Sequence, residues 1–155
     1  MNFIIKIVAD GSLVVISVCG LVALLKGIPA KKRFAQYPYA VMAGLTALFI
    51  GKLFSLLYQP AVARPFLEMG ASPGALYINN PGFPSDHTLL AGVIVFAVYA
   101  LTPYKKLSYS LGVLAVVMAV ARVLALVHTP LDVVGGFVAA AIGALWYFAR
   151  RQYHS

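Results

Sequence analysis

S-Y-S-L-G-V-L-A-V-V-M-A-V-A-R-V-L-A-L-V, residues 108–127, is twenty residues long and carries a single charge, Arg122. About 20 mostly apolar residues in a helix are what the hydrocarbon core of a bilayer requires. Outward from this stretch, comparable runs lie at about 3–25, 38–59, 87–103 and 131–149. Composition agrees, since 62% of the 155 residues are hydrophobic and 10% charged, against about 45–50% and about 25% in soluble domains. A soluble fold of this size buries only about two-thirds of what its unfolded chain exposes, so lipid is the natural solvent. A water-soluble enzyme, a disordered chain and a disulfide-stapled module are excluded. The expectation is an all-α integral membrane protein: one domain over 1–155, a bundle of about five transmembrane helices. Cys19, the lone cysteine, can form no internal bridge, and the redox compartment stays unread.

The net charge of +8 suits nucleic acid or anionic lipid; in so apolar a chain lipid is the partner, and charge placement reports orientation. Lys26, Lys31, Lys32 and Arg33 lie between spans one and two, Lys105 and Lys106 between three and four, and Arg150 and Arg151 after five. With five spans all three clusters fall on one side, which the positive-inside bias makes cytoplasmic. The expected location is a plasma membrane, crossed several times. The N-terminus, the 60–86 segment and the 127–131 segment are then outside. Lys6 and Asp10 let the first turns of span one lie in the interface instead of spanning. A signal peptide is the competing reading of that span, disfavoured because no small-residue cleavage site precedes a polar start. Pro60, Pro65, Pro73, Gly74, Pro81, Gly82 and Pro84 forbid a continuous helix over 60–86. Phe66, Leu67, Leu76, Tyr77, Ile78 and Phe83 lead us to expect this long irregular loop along the outer interface.

The remaining polar residues gather on that outer side: Arg64, Ser85, Asp86, His87, Arg122, His128 and Asp132. Charges near a membrane are costly and mark functional sites by default. Ser85 before an apolar run reads as an N-cap whose hydroxyl accepts a first-turn N–H. Such a helix start is a ready anion site, or else an ordinary cap beside a solvated histidine. Thr129, Pro130 and Asp132 have the form of cap, first-turn proline and third-position acid. Asp132 either completes that cap or turns toward His128 to fix its tautomer. Arg64 is a headgroup contact, or the planar fork that suits phosphate. Two arginines converging on one spot repel unless an anion sits between them, which asks for a phosphate-like substrate. A metal is the rival use of His87, His128, Asp132 and Asp86; the arginines disfavour a divalent cation, and no HExxH or Cys/His spacing appears.

In this order, these pieces resemble the type 2 phosphatidic acid phosphatase (PAP2) superfamily, whose pattern is K-x6-R-P, then P-S-G-H, then S-R-x5-H-x3-D. The resemblance covers roughly residues 52–136, and the third piece has its full spacing. F-P-S-D-H-T, with R-P-F upstream and L-D-V-V-G-G downstream, looks most like the bacitracin-resistance branch of undecaprenyl pyrophosphate phosphatases. The resemblance implies His128 as nucleophile forming a phosphohistidine, Asp132 orienting it, and His87 as acid to the leaving group. Arg64, Arg122, Ser85 and the amides around Asp86 would hold phosphoryl oxygens, with no metal or cofactor. The chain departs from the pattern at Asp86 for glycine and at Ala121 for serine. Asp86 is repulsive to phosphate unless it turns outward. Leu57 stands where the first-motif lysine would fall. Lys52, five residues earlier, is about 140° around and about 7.5 Å along an ideal helix, so Arg64 alone carries over, and Lys52 and Gln59 are left without a role.

The implied function is metal-independent hydrolysis of a polyprenyl diphosphate, undecaprenyl pyrophosphate, at the extracytoplasmic face. The product is the lipid monophosphate, returned for cell-wall synthesis. The motifs bind a phosphoryl group and do not read the tail, which keeps open a phosphatidate or phosphatidylglycerol phosphate phosphatase. From another class comes a small channel or proton-relay subunit using His87, His128 and Asp132, although a proton path needs no paired arginines. The sequence leaves the oligomeric state open.

Overall fold

Each apolar run forms one helix, because within hydrocarbon a backbone N–H or C=O has to find its partner in its own segment. The computed structural model describes residues 3–58, 64–77, 80 and 82–148. Its long helices are α1 (Phe3–Gly27), α2 (Ala30–Leu57), α4 (Asp86–Leu101), α5 (Lys105–Leu124) and α6 (Pro130–Gly143). A single turn of helix, α3 (Pro65–Glu68), lies in the long connection. The architecture is all-α, with no strand among the described residues. Among the described residues four helices are long and apolar enough to cross a membrane, α6 with its continuation to Phe148. The 16-residue α4 spans about 24 Å at 1.5 Å per residue, short of a core about 30 Å thick.

Successive long helices run antiparallel. Asp10 of α1 meets Arg122 of α5 at one end, and Gly27 of α1 packs on Thr102 and Tyr104 at the other. Consequently α1, α4 and α6 run in one direction and α2 and α5 in the other. Lys26, Lys31, Lys32, Arg33, Lys105 and Lys106 occupy one end of the bundle, and all seven expected site residues lie at the opposite end. Arg150, Arg151, Gln59, Pro60, Ile78 and Pro81 lie outside the described residues.

Most of the basic residues expected in connections belong to helix ends instead. Helix α2 begins at Ala30 and runs through Pro38, so its start precedes the sequence-based boundary by a full two turns. An interior proline removes one backbone bond and costs about 3 kcal/mol, which the surrounding contacts overcome. Arg33 is one of them: its Nε donates to Ile28 O at 3.2 Å and its Nη2 to Leu25 O at 2.5 Å. Likewise Lys105 Nζ donates to Tyr99 O. Each cation in the first turn of one helix thereby caps terminal carbonyls at the end of the preceding one, where the helix dipole is negative.

Parallel α4 and α6 pack most closely, and small residues make the approach possible. A Cβ at Gly136 would collide with Thr88 Oγ1 and the Ser85 carbonyl, and one at Gly92 would meet Ala140 Cβ at 2.7 Å. Across this seam Thr88 Oγ1 donates to Val133 O at 3.0 Å, and Ser85 N to Asp132 O at 2.9 Å. Two helix N-termini are thus held side by side at one end of the bundle. Outward, residues such as Val14, Leu45, Val113 and Val138 remain exposed, as lipid-facing positions should.

Candidate active site

The site is built on the start of α6. Thr129 is its N-cap and Pro130 opens its first turn, where a missing N–H costs nothing. Thr129 Oγ1 accepts from Asp132 N at 3.2 Å, and Asp132 Oδ2 accepts from Thr129 N at 2.7 Å. The same Oδ2 stands 3.3 Å from His128 Nδ1. The two placements expected of Asp132 thus coexist: one oxygen closes the capping box and faces the imidazole. With Nδ1–H directed at the carboxylate, Nε2 is left as the basic nitrogen. His128 is 4% exposed, and burial lowers its pKa below the ordinary 6.5. The hydrogen bond to Asp132 opposes that shift, and the fields of Arg122 and Arg64 add to it.

The backbone before His128 is fixed by the long connection. Leu126 adopts a φ of 60°, a left-handed conformation uncommon for residues other than glycine. Phe66 N donates to Leu126 O at 3.1 Å and Gly74 N to Ala125 O at 3.0 Å. Phe66 was expected along the interface; instead it is buried with Ala9, Ala121, Ala125 and Val127, because this ring pins the connection onto the bundle. Leu67, Leu76 and Tyr77 do stay exposed, and Phe83 packs against Phe54 and Tyr58.

Arg64 enters from the same connection and is 3% exposed. Its Nη1 donates to Val127 O at 2.5 Å and lies 3.4 Å from each ring nitrogen of His128. Equal distances to both nitrogens mean that the guanidinium lies against the imidazole without aiming at either. Nη2 donates to Asn80 Oδ1 at 2.6 Å, and the guanidinium sits 5.5 Å from the Tyr77 ring centroid. Burial lowers the Arg64 pKa, with Asp132, Asp86 and Tyr77 acting in the opposite sense.

Arg122, 1% exposed, is held differently. Nη1 forms an ion pair with Asp10 Oδ1 at 3.3 Å, and Nη2 donates to Leu76 O at 2.9 Å. Asp10 also accepts from Leu76 N, at 3.2 and 3.1 Å to its two oxygens. This corrects the argument that two converging arginines demand an anionic ligand: the Asp10 carboxylate already balances one of them. Sequence reasoning missed Asp10, reading it as an interfacial turn. The usable signal was a lone acid inside an apolar helix, which needs a cation partner.

At the start of α4, Ser85 occupies the N-cap position, yet its hydroxyl caps nothing. That expectation is corrected. The side chain is fully buried and Oγ has no hydrogen-bond partner among the described residues; Ser85 N donates to Asp132 O of α6, while Ser85 O accepts from Leu89 N and Thr88 Oγ1 within α4. Arg122 Nε is likewise buried without a hydrogen-bond partner among the described residues. Asp86 turns outward and is exposed, as its charge requires. His87 is partly buried, within the electrostatic reach of Arg122, His128 and Arg64. Lys52 lies beside Asp86, Asn80 and Phe83 in a small cleft between α2 and α4. No cluster of three or more His, Cys, Asp or Glu side chains suited to a metal forms among the described residues.

Two histidines, two buried guanidiniums, an orphaned hydroxyl and two helix N-termini thus share one end of the bundle. The sequence model of the PAP2 superfamily matches residues 33–155. The chain belongs to the PAP2 superfamily. The undecaprenyl-diphosphatase BcrC of Bacillus subtilis (strain 168) is 29% identical over 111 residues, 71% of this chain and 55% of that protein. The bacitracin transport permease protein BcrC of Bacillus licheniformis is 34% identical over 113 residues, 71% of this chain and 53% of that protein. YbjG of Escherichia coli (strain K12) is 32% identical over 139 residues, 89% of this chain and 67% of that protein. The chain therefore spans about half the length of the two BcrC proteins. No solved structure matches it significantly. The PAP2 match begins after α1, so Asp10 acts on a PAP2 motif residue, Arg122, from outside the matched region.

Proposed function

We propose that this PAP2 protein hydrolyses a lipid diphosphate, undecaprenyl pyrophosphate, to the lipid monophosphate and phosphate at the extracytoplasmic face of the plasma membrane, without a metal. The observation that carries the reading is His128 held between Asp132 Oδ2 and Arg64 at the paired N-termini of α4 and α6. The name of the Bacillus subtilis relative, undecaprenyl-diphosphatase, supports the diphosphate lipid, and the basic residues at the opposite end support the sidedness.

His128 Nε2 attacks the terminal phosphorus and the anhydride P–O bond breaks, while His87 donates a proton to the departing oxygen of the lipid phosphate. Water then adds to the phosphohistidine, His87 takes its proton, and the P–N bond breaks to release phosphate. Asp132 holds the Nδ1 proton and stabilises the charge that develops on the ring. Arg64, Arg122, the Ser85 hydroxyl and the first N–H groups of α4 neutralise the phosphoryl oxygens. Phosphoryl transfer needs mainly such positioning and neutralisation.

The test is phosphate release by the purified chain from C55 diphosphate, with phosphatidate alongside. Release from the diphosphate that disappears in His128→Ala is expected. Preferential release from phosphatidate would reassign the substrate to a phospholipid monophosphate. Full turnover by His128→Ala would remove the nucleophile.

A further inference from the structure

Asn80 lies in the connection between α3 and α4, and the motif pattern does not include it. Its side chain meets three groups. Oδ1 accepts from Arg64 Nη2 at 2.6 Å and from the Gly82 backbone N–H at 3.1 Å, while Nδ2 donates to Asp86 Oδ2 at 3.4 Å. The chemistry of the neighbours decides which way the amide points. A guanidinium only donates and a carboxylate only accepts, so one amide orientation satisfies both and the flipped one satisfies neither.

We infer that Asn80 is a positioning residue for Arg64, and that Asp86 fixes the Asn80 amide with its oxygen toward the guanidinium. The aspartate in P-S-D-H, where the pattern has glycine, thereby works on the loop and not on the phosphoryl group. Its exposure fits that role, since a carboxylate facing the anion would repel it. The fork of Arg64 is spread between Val127 O and Asn80 Oδ1. Losing the Asn80 anchor removes one of the contacts that set the orientation in which the guanidinium flanks His128. A hydrogen bond from a charged donor is among the stronger ones, so the anchor is not interchangeable with solvent. The consequence for turnover rests on the phosphatase reading; the contact itself does not.

Two measurements on the full chain in detergent micelles test this. In phosphate release from a lipid diphosphate, Asn80→Ala should lower kcat/KM about tenfold, as expected for a lost bond to a charged group. In an Arg64→Ala background the same substitution should add less than about a twofold loss, because acting through Arg64 makes the effects non-additive. By NMR, the Asn80 side-chain amide cross-peak should move upfield in Asp86→Ala, which removes its acceptor. An unchanged kcat/KM, an equal loss in both backgrounds or an unmoved amide peak would each overturn the inference. Should the wild-type chain release no phosphate from any lipid, the phosphatase reading fails, and the amide peak alone still decides the contact. The peak is read in Asp86→Ala, so it stands even where Asn80→Ala does not fold.

Discussion

Replacing Asp10 by alanine tests whether α1 holds the site together. Arg122 is 1% exposed and Asp10 18%, with 3.3 Å between Nη1 and Oδ1. At an effective dielectric of about 20, two unit charges at that separation attract by about 5 kcal/mol. Stranding a buried charge by removing its partner costs about 3–5 kcal/mol, and the partial exposure of Asp10 places the expected loss near the lower figure, about 3 kcal/mol. The Leu76 N–H loses its acceptor in the same step, which also loosens the connection carrying Tyr77. For a chain of this size each kcal/mol moves Tm by about 2–4 °C, so Asp10→Ala should melt roughly 6–12 °C below wild type in detergent. Asp10→Ala/Arg122→Met, which leaves no stranded charge, should recover at least half of that. An Asp10→Ala protein melting within about 1 °C of wild type would refute the reasoning, as would a double variant no more stable than the single one.

Four further outcomes are expected. His128→Ala and His87→Ala should each abolish phosphate release, and Arg64→Ala should lower kcat by about 100-fold, the scale of losing one preorganised donor to developing charge; single-turnover assays with radiolabelled lipid decide this. Gly136→Val should separate α4 from α6 and be inactive even where membrane insertion, followed by protease protection, is normal. Because burial holds the His128 pKa below 6.5, the unfolded chain binds the extra proton first as pH falls. This residue's contribution to stability therefore declines as pH drops through 6.5, and its imidazole 15N signals should titrate below that value; titration at or above 6.5 would contradict the burial. Activity should survive EDTA and fall with vanadate, whereas loss on chelation and recovery with a divalent metal would replace the phosphohistidine reading.

Apolar length is local information, and it set the helices. A backbone in lipid has one way to satisfy itself, so residues 108–127 announce a helix, realised as α5 over Lys105–Leu124. The expected 3–25 and 87–103 fall within two residues of α1 and α4, and Thr129, Pro130 and Asp132 mark the start of α6, whereas Pro38 misled, because Arg33 anchors α2 to the end of α1. The motif spacing placed His128 one turn from Asp132 and brought Arg64 to it. It could not show that one Asp132 oxygen serves both the cap and the imidazole.

The sequence by itself determined the helical class, the number of long helices and the gathering of polar residues at one end of the bundle, since each depends on runs of residue type and on alternation of direction. The tertiary structure decided the partners: Asp10 on Arg122, Asn80 between Arg64 and Asp86, and Ser85 with its hydroxyl freed from capping. Those pairings join positions far apart in the chain through the parallel packing of α4 on α6 and the antiparallel packing of α1 on α5. Local patterns carry no record of which distant side chain supplies the opposite charge or withdraws a hydrogen bond.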